Sequence, residues 1–322
     1  MLERKNEYCI SVDELTKDYG KSIHAINGIS FNVKYGKVFG FLGPNGAGKT
    51  TTIKVLTTLI SPSGGRVHIF GKDIVKYPSE VRKRIGVVCQ QPSFEANLTV
   101  GRALDLYGLM WGLRGRKKED KLREIFVAFD LEPIKNTKND ELSIGQRRRV
   151  QVAREFMHDM DLLFLDEPTV GLDPSARRTL LDYIKTQVKS GLTVFFTTHI
   201  MEEAEYLCDE IAIIDKGKII AFDTPTGLRQ KYGVTKNIEL RLKEVLAKSV
   251  VDLITTNIDK PYIETTGPDT LIIKVENAQE MIIRIIKLLS KNDIQIESIA
   301  INPPSLEEVF LTIVNDRKEL QQ

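Results

Sequence analysis

The sequence predicts an α/β fold followed by a smaller α+β fold, and three observations carry that prediction. Short apolar runs recur through the first two thirds of the chain, each followed by a loop rich in Gly, Pro, Asp or His. Helical patterns alternate with those runs. Beyond Gly233 the order changes to strand, helix, strand, strand, helix, strand. A length of 322 residues suits two domains, expected at 1–232 and 233–322.

Taken in order, Val38–Leu42, Ile85–Val88, Leu162–Leu165, Thr193–Phe196 and Ile211–Ile214 read as buried strands. In open α/β sheets ligands sit at the edge where such strands end. Between Thr99 and Asp130 two helical patterns follow one another with no strand between them. They read as a helical insertion, part of a subdomain at about 97–158, with the charged stretch Arg114–Asp120 at its turn. In the second domain, Asn237–Leu242 alternates as a strand does and Glu244–Thr256 is helical in pattern. Tyr262–Thr265 and Thr270–Val275 flank a turn at Gly267-Pro268-Asp269, and a helix at Ala278–Leu289 precedes a strand at Ile294–Ile301. That βαββαβ order is the ferredoxin-like pattern.

Composition narrows the class. Apolar residues make up 42% and charged residues 28%, which excludes a disordered or collagen-like chain. The net charge of +2 gives no reason to expect nucleic acid as a partner. Cys9, Cys89 and Cys208 form no C-x-x-C pair, which suits a reducing compartment rather than a disulfide scaffold or zinc site. The charged start, Met1 to Glu7, does not read as a signal peptide, and no window is long and apolar enough to span a bilayer. The expectation is a cytoplasmic chain.

The chemistry begins directly after the run ending at Leu42. Gly43-Pro44-Asn45-Gly46-Ala47-Gly48-Lys49-Thr50-Thr51 satisfies G-x-x-x-x-G-K-[ST], with a strand before it and Ile53, Leu56 and Ile60 at helical spacing after it. Glycines let successive N–H groups turn inward around phosphate oxygens, and the following helix aims its positive end at the same point. Lys49 supplies a point charge to the β and γ phosphates, and the Thr50 hydroxyl can ligate Mg²⁺. A second constellation, Leu162-Leu163-Phe164-Leu165-Asp166-Glu167-Pro168, is an apolar strand ending in adjacent carboxylates. Asp166 is placed to hold Mg²⁺, and Glu167, pointing elsewhere, is suited to polarise an attacking water.

Between these sites lies Leu142-Ser143-Ile144-Gly145-Gln146, opening a helix at Arg147. Here the chain resembles the ATP-binding cassette ATPases, the motor subunits of ABC transporters, over about residues 8–230. The family signature is L-S-G-G-Q, and this chain departs from it at Ile144. The resemblance implies a P-loop NTPase cassette using ATP and Mg²⁺. It implies that Tyr19 stacks on adenine and that Gln90, with Gln91 as the neighbouring candidate, senses Mg²⁺ and the attacking water. Asp173, in Gly171-Leu172-Asp173, falls in the loop coupling two sites, and His199 matches the histidine that contacts the γ-phosphate. In that family Ser143, Gly145 and Gln146 act on the ATP of the opposite subunit. The expected partners are therefore a second copy or second cassette chain, and a separate integral-membrane permease at the inner face of the cell membrane.

The tail Pro303-Pro304-Ser305-Leu306-Glu307-Glu308-Val309-Phe310-Leu311 resembles that of daunorubicin-type exporter ATPases, as does the spacing from Gln90 through Thr99-Val100 to Tyr107-Gly108. Read from the residues alone, Ser305 with Glu308 is a helix capping box. The second domain, lacking a phosphate loop or catalytic cluster, is expected to regulate or stabilise a dimer. Arg147, Arg148 and Arg149 read as a solvated or salt-bridged face, or alternatively as a group attracted to the facing ATP. Thr137-Lys138-Asn139-Asp140 imitates a guanine-reading motif but lacks a buried strand before it, so it reads as a polar loop. The competing function is a soluble cassette ATPase acting on DNA or ribosomes. The long coiled-coil insertion of the first kind and the paired cassettes of the second are both missing from this sequence.

Overall fold

The structure, a computed structural model, describes residues 7–20, 22–91, 95–233, 235–244, 247–258 and 262–319. The charged start at Met1 therefore lies outside the described residues, as do positions 245–246 of the helix expected over Glu244–Thr256. The chain divides into two compact units, Met1–Pro225 and Thr226–Gln322.

The first unit opens with two long strands, β1 (Tyr8–Tyr19) and β2 (Ile23–Lys34), then β3 (Val38–Leu42), α1 (Lys49–Leu56), β4 (Gly64–Ile69), β5 (Lys72–Asp73), α2 (Pro78–Arg82) and β6 (Ile85–Val88). Two helices follow, α3 (Val100–Met110) and α4 (Gly115–Ala128), and then α5 (Ile144–Glu155). The unit continues with β7 (Leu162–Asp166), α6 (Pro174–Lys189), β8 (Thr193–Thr197), α7 (Met201–Leu207), β9 (Glu210–Asp215) and β10 (Lys218–Asp223). The expected strand runs thus become β3, β6, β7, β8 and β9, fully or nearly fully buried as continuous apolar strands of a parallel sheet should be.

They form one six-stranded sheet in the order β10-β9-β3-β8-β7-β6, in which only the β9–β10 pair is antiparallel. An antiparallel sheet, β2-β1-β4-β5, packs over it. Phe31 of β2 stacks on Phe39 at 5.2 Å between ring centroids, and Phe195 lies 5.5 Å from Phe39 and 5.6 Å from Phe164. These rings join both sheets in one core.

The charged stretch expected at the turn of the insertion is helical instead, a correction with a local cause. Gly112, at φ 85°, ends α3, and Arg114 donates to the Leu109 and Leu113 carbonyls at 2.7 and 2.8 Å. Residues 115–120 then start α4, supported by the pairs Arg116–Asp120 and Arg123–Asp120. Glu155 of α5, whose carboxyl burial pushes up, accepts from Tyr107 of α3 at 3.2 Å and from the Val87 amide at 3.2 Å. That contact joins the insertion to the end of β6.

Helix α8 (Pro225–Tyr232) starts at the boundary, and the second unit runs on through β11 (Lys236–Leu242), α9 (Ala247–Asn257), β12 (Tyr262–Thr265), β13 (Thr270–Val275), α10 (Ala278–Lys291), β14 (Ile296–Asn302) and α11 (Leu306–Glu319). Its antiparallel sheet has the order β12-β13-β11-β14, with β11 and β13 central. Every second residue of the central strands, Ile238, Leu240, Leu271 and Ile273, meets Val250 and Ile254 of α9 and Ile285 and Leu289 of α10. Ser305 and Glu308 close the expected capping box on α11, with Ser305 N donating to Glu308 Oε2 at 2.9 Å.

Candidate functional site

The order of the parallel sheet decides which loops meet. Going across β3, β8, β7 and β6, the carboxyl ends carry in turn Lys49 and Thr50, His199, Asp166 and Glu167, and Gln90. Motifs scattered along the chain thereby share one edge.

The loop after β3 must turn tightly around backbone, and its glycines permit that. Gly46 and Gly48 have φ of 80° and 113°, and a Cβ on Gly43 would lie 2.2 Å from the Ile214 carbonyl oxygen. Gly48 is the N-terminal residue before α1, so the first amides of that helix face the loop. Lys49, 6% exposed, donates to the Gly43 carbonyl at 2.7 Å and the Pro44 carbonyl at 3.2 Å. Burial lowers its pKa, against the opposing attraction of Glu167 and Asp166.

Asp166 ends β7 fully inside the sheet. Its Oδ2 accepts from Thr50 Oγ1 at 2.9 Å, and its Oδ1 accepts from Thr197 Oγ1 at 2.7 Å. Glu167, the next residue, has a φ of 51° that swings its side chain away from that of Asp166. Its Oε2 accepts from Gln90 Nε2 at 3.4 Å and lies 3.5 Å from His199 Nδ1, while Oε1 is 4.0 Å from the Lys49 ammonium. His199 itself is more than half exposed. Six expected residues, Lys49, Thr50, Gln90, Asp166, Glu167 and His199, are therefore drawn into one cluster.

A second group forms around α5. Ser143 caps that helix in a reciprocal box with Gln146: the Ser143 amide donates to Gln146 Oε1 at 2.9 Å, and the Gln146 amide donates to Ser143 Oγ at 3.2 Å. A Cβ on Gly145 would sit 2.6 Å from the Gly171 carbonyl oxygen, so the signature turn and the loop before α6 are in backbone contact. Ile144 points outward at 69% exposure, and its Cγ2 lies against Gly171. Asp173 caps α6 by accepting from the Ala176 amide at 2.9 Å, which holds its carboxyl below the usual range. Tyr19 belongs to neither group: it ends β1 opposite Ile23, 41% exposed, with the Lys17 ammonium 5.5 Å from its ring centroid.

Of the three arginines, Arg149 is salt-bridged to Asp130 as one reading of the sequence allowed, whereas Arg148 departs from it. Arg148 is 3% exposed and points inward, donating to backbone carbonyls of Cys89, Asp166, Glu167 and Pro168. Arg147 donates to the Leu142 carbonyl at 2.9 Å, and Arg149 to Asp130 Oδ2 at 3.3 Å. Arg148 turns inward because α5 lies against the loops after β6 and β7. The segment Thr137–Asp140 is likewise less open than a polar loop: Asn139 is 1% exposed and donates to the Glu95 carbonyl at 3.1 Å.

Sequence reasoning missed Thr197 and Glu203, and it missed the inward role of Arg148. Buried Glu203 accepts from Thr169 at 2.9 Å and from Thr198 at 2.7 Å, tying the segment after Glu167 to the one before His199. For Arg148 a signal existed: it stands four residues before Val152 and seven before Glu155, on the buried face of α5. For Thr197 and Glu203 the signal depends on strand order.

Thr50 and Asp166 present a hydroxyl and a carboxylate oxygen to the same point, a donor pair suited to a hard divalent cation such as Mg²⁺. Together with an amide-lined glycine loop and a buried ammonium, the arrangement can bind a polyphosphate and direct a carboxylate at water.

The chain is similar to several known proteins. A family model described as ABC transporter matches residues 26–170. The Daunorubicin/doxorubicin resistance ATP-binding protein DrrA of Streptomyces peucetius is 34% identical over 305 residues, covering 94% of this chain and 92% of DrrA. The Probable multidrug ABC transporter ATP-binding protein YbhF of Escherichia coli is 42% identical over 223 residues. That match covers 69% of this chain but 38% of YbhF, so the chain spans well under half the length of that relative. Among solved structures, an ATP-binding subunit of an ABC transporter superposes with a TM-score of 0.65 at 29% identity, covering 70% of this chain and 93% of the other.

Proposed function

Because the chain belongs to the ABC transporter family of ATP-binding proteins, we propose that it is the ATP-hydrolysing subunit of a drug-resistance exporter. In this reading it pairs with a second cassette around two ATP molecules and drives a separate membrane subunit from the inner face of the membrane. The observation that carries the reading is the meeting of Thr50, Asp166, Glu167, Gln90 and His199 at one sheet edge beside the glycine loop. Similarity to DrrA along most of both chains supports the exporter assignment. The need for a membrane partner follows from the transport role; among the described residues no helix is long and apolar enough to cross a membrane.

The chemistry then divides among the residues. Gly43 to Thr51 cradle the phosphates, and Tyr19 offers a ring to the adenine. Lys49 holds its ammonium where charge builds on the transferred phosphoryl group, and burial makes that charge count for more than it would in water. Thr50 and Asp166, with Gln90, would hold Mg²⁺, which when bound neutralises charge on the β and γ phosphates. Glu167 takes the proton of the attacking water. Gln90 and His199 both address its Oε2, so they orient the carboxylate as well as the phosphate side of the reaction. Ser143, Gly145 and Gln146 serve the ATP of the opposing cassette, and Asp173 shapes the loop between the two sites.

We assign residues 1–232 to the cassette and 233–322 to a domain that regulates or stabilises the dimer. Deletion after Gly233 is expected to weaken dimerisation or change the ATPase rate, and unchanged values would refute that role. The overall reading is tested by purifying the chain from detergent-solubilised membranes and identifying its companions by mass spectrometry. A stoichiometric subunit with several spanning helices is the expected result. Recovery of the chain only with ribosomes or nucleic acid would overturn the transport role while leaving the ATPase chemistry in place.

A further inference from the structure

Arg148 carries more hydrogen bonds than any other side chain near the site, and all of them go to groups that position something else. Its Nε donates to the Pro168 carbonyl at 3.0 Å. Nη1 donates to the Cys89 carbonyl and to Gln151 Oε1, both at 2.6 Å, with the Gln90 carbonyl at 3.5 Å. Nη2 donates to the Asp166 carbonyl at 2.6 Å and the Glu167 carbonyl at 2.7 Å. A guanidinium has five N–H groups in a rigid fork, and each has a partner here. Burial lowers its pKa to about 10, with Asp166 opposing, so it stays charged at neutral pH.

The partners are not a random set. Cys89 and Gln90 belong to the loop after β6; Asp166, Glu167 and Pro168 form the turn after β7. Glu167 sits at φ 51°, a left-handed backbone that a residue with a side chain rarely adopts. Its carbonyl is held by Arg148 on one side, and its amide donates to Thr197 Oγ1 and the Thr197 carbonyl, both at 3.1 Å, on the other. Arg148 itself rides on α5, the helix that Ser143 opens and whose Gly145 abuts Gly171.

We propose that Arg148 is a positioning residue that locks the Glu167 backbone and the Gln90 loop to the signature helix, so that the base of one site moves with the motif that serves the other. The proposal rests on the ATP-dimer reading given above. It explains why an arginine occupies a buried position on α5: no other side chain supplies five donors in one plane, and lysine supplies three from a single point.

The test uses the full chain with Arg148→Lys, Arg148→Gln and Gln151→Leu, the last removing one partner that orients the guanidinium. Three quantities are read: thermal midpoint, ATP hydrolysis with kcat separated from KM, and ATP-dependent dimerisation by size-exclusion chromatography in a Glu167→Gln background. Both Arg148 variants are expected to lower kcat at least thirtyfold with KM within threefold. In the Glu167→Gln background they raise at least tenfold the ATP concentration needed for the dimer, although hydrolysis is already abolished there. Gln151→Leu moves both readouts in the same direction by a smaller factor. Wild-type kcat and dimerisation in a folded variant overturn the proposal. Losses that only track a fall in thermal midpoint and nucleotide affinity also overturn it, reducing Arg148 to a brace of the fold. If the Arg148 variants do not fold, a folded Gln151→Leu with unchanged kcat and dimerisation decides against it. If the wild-type chain neither hydrolyses ATP nor dimerises as Glu167→Gln, the underlying ATPase reading is what has failed.

Discussion

The Thr50 hydroxyl donates to Asp166 Oδ2 across 2.9 Å, joining the first turn of the helix after the glycine loop to the end of a strand two places away in the sheet. Thr197, from the strand between them, fixes the other carboxylate oxygen at 2.7 Å. Asp166→Asn keeps the shape and can keep both hydrogen bonds, but it removes the charge that a divalent cation needs. We expect hydrolysis to fall by about a hundredfold or more. ATP binding without metal should change little. A magnesium titration of ATPase activity checks this; an unchanged magnesium requirement refutes the metal role of Asp166.

Glu167→Gln retains contact with Gln90 and His199 but cannot accept a proton. Loss of a general base typically costs about 10²–10⁴ in rate. The variant should bind ATP and accumulate as a dimer, measurable by light scattering with and without ATP. A rate within threefold of wild type would exclude Glu167 as the base.

Gly46 and Gly48 both have positive φ, yet they should not respond alike to alanine. At Gly46 nothing lies within 4 Å of a new Cβ, so only backbone strain is added, about 1 kcal/mol. At Gly48 the Cβ meets the Ala25 carbonyl oxygen at 2.6 Å, and the strained loop must shift as well. Gly48→Ala should therefore lose about 2–3 kcal/mol and most nucleotide affinity. Urea unfolding of the two variants side by side gives the comparison, and equal losses contradict the contact.

In the second unit Glu308 accepts from Ser305 N at 2.9 Å and Asn237 Nδ2 at 3.0 Å and pairs with Lys274. Burial pushes its carboxyl up, but these bonds outweigh burial and hold it below the usual 4.5, while the pairing raises Lys274 above 10.5. A carboxylate held low contributes stability above its unfolded pKa and loses that contribution as pH falls through the folded value. A raised lysine contributes below its unfolded pKa and loses that as pH rises through the folded value. The cluster should thus stabilise at neutral pH and fade in acid and in strong base. Glu308→Ala is expected to cost about 1 kcal/mol near pH 7. In thermal unfolding, the difference between variant and wild type should shrink steadily as pH is lowered from 7 below 4.5.

Much of this is legible in the sequence. Val38–Leu42 and Leu162–Asp166 are apolar enough to be buried strands in any α/β sheet, so the residues that end them had to lie at an edge. The two long strands β1 and β2 were not legible, because register shifts between Val12, Leu15 and Thr16, with Glu14 at φ 49°, break the alternation that marks a strand. The charge density of Arg114–Asp120 reads as a turn, yet its i,i+4 pairing makes it a helix start. Arg148 stands among like residues, and only its helical spacing to Val152 and Glu155 marks it as the inward one; which loops it meets follows from the packing on α5. Thr197 and Glu203 needed the strand order, which places β8 between β3 and β7.

That strand order also has a consequence during synthesis. The two sheet neighbours of β3 are β8 and β9, at Thr193–Thr197 and Glu210–Asp215, near the end of the first unit. A growing chain that has already emerged with its glycine loop complete still has no strand on either side of β3 to hold that loop in shape. Until Thr197 leaves the ribosome Val38–Leu42 has neither sheet neighbour, and until Asp215 it has only one, which leaves an apolar segment open to wrong partners. Closing the sheet is a late, long-range step. A cell making this protein thus exposes an apolar core strand for the time needed to translate the stretch in between, which is when a chaperone would matter most.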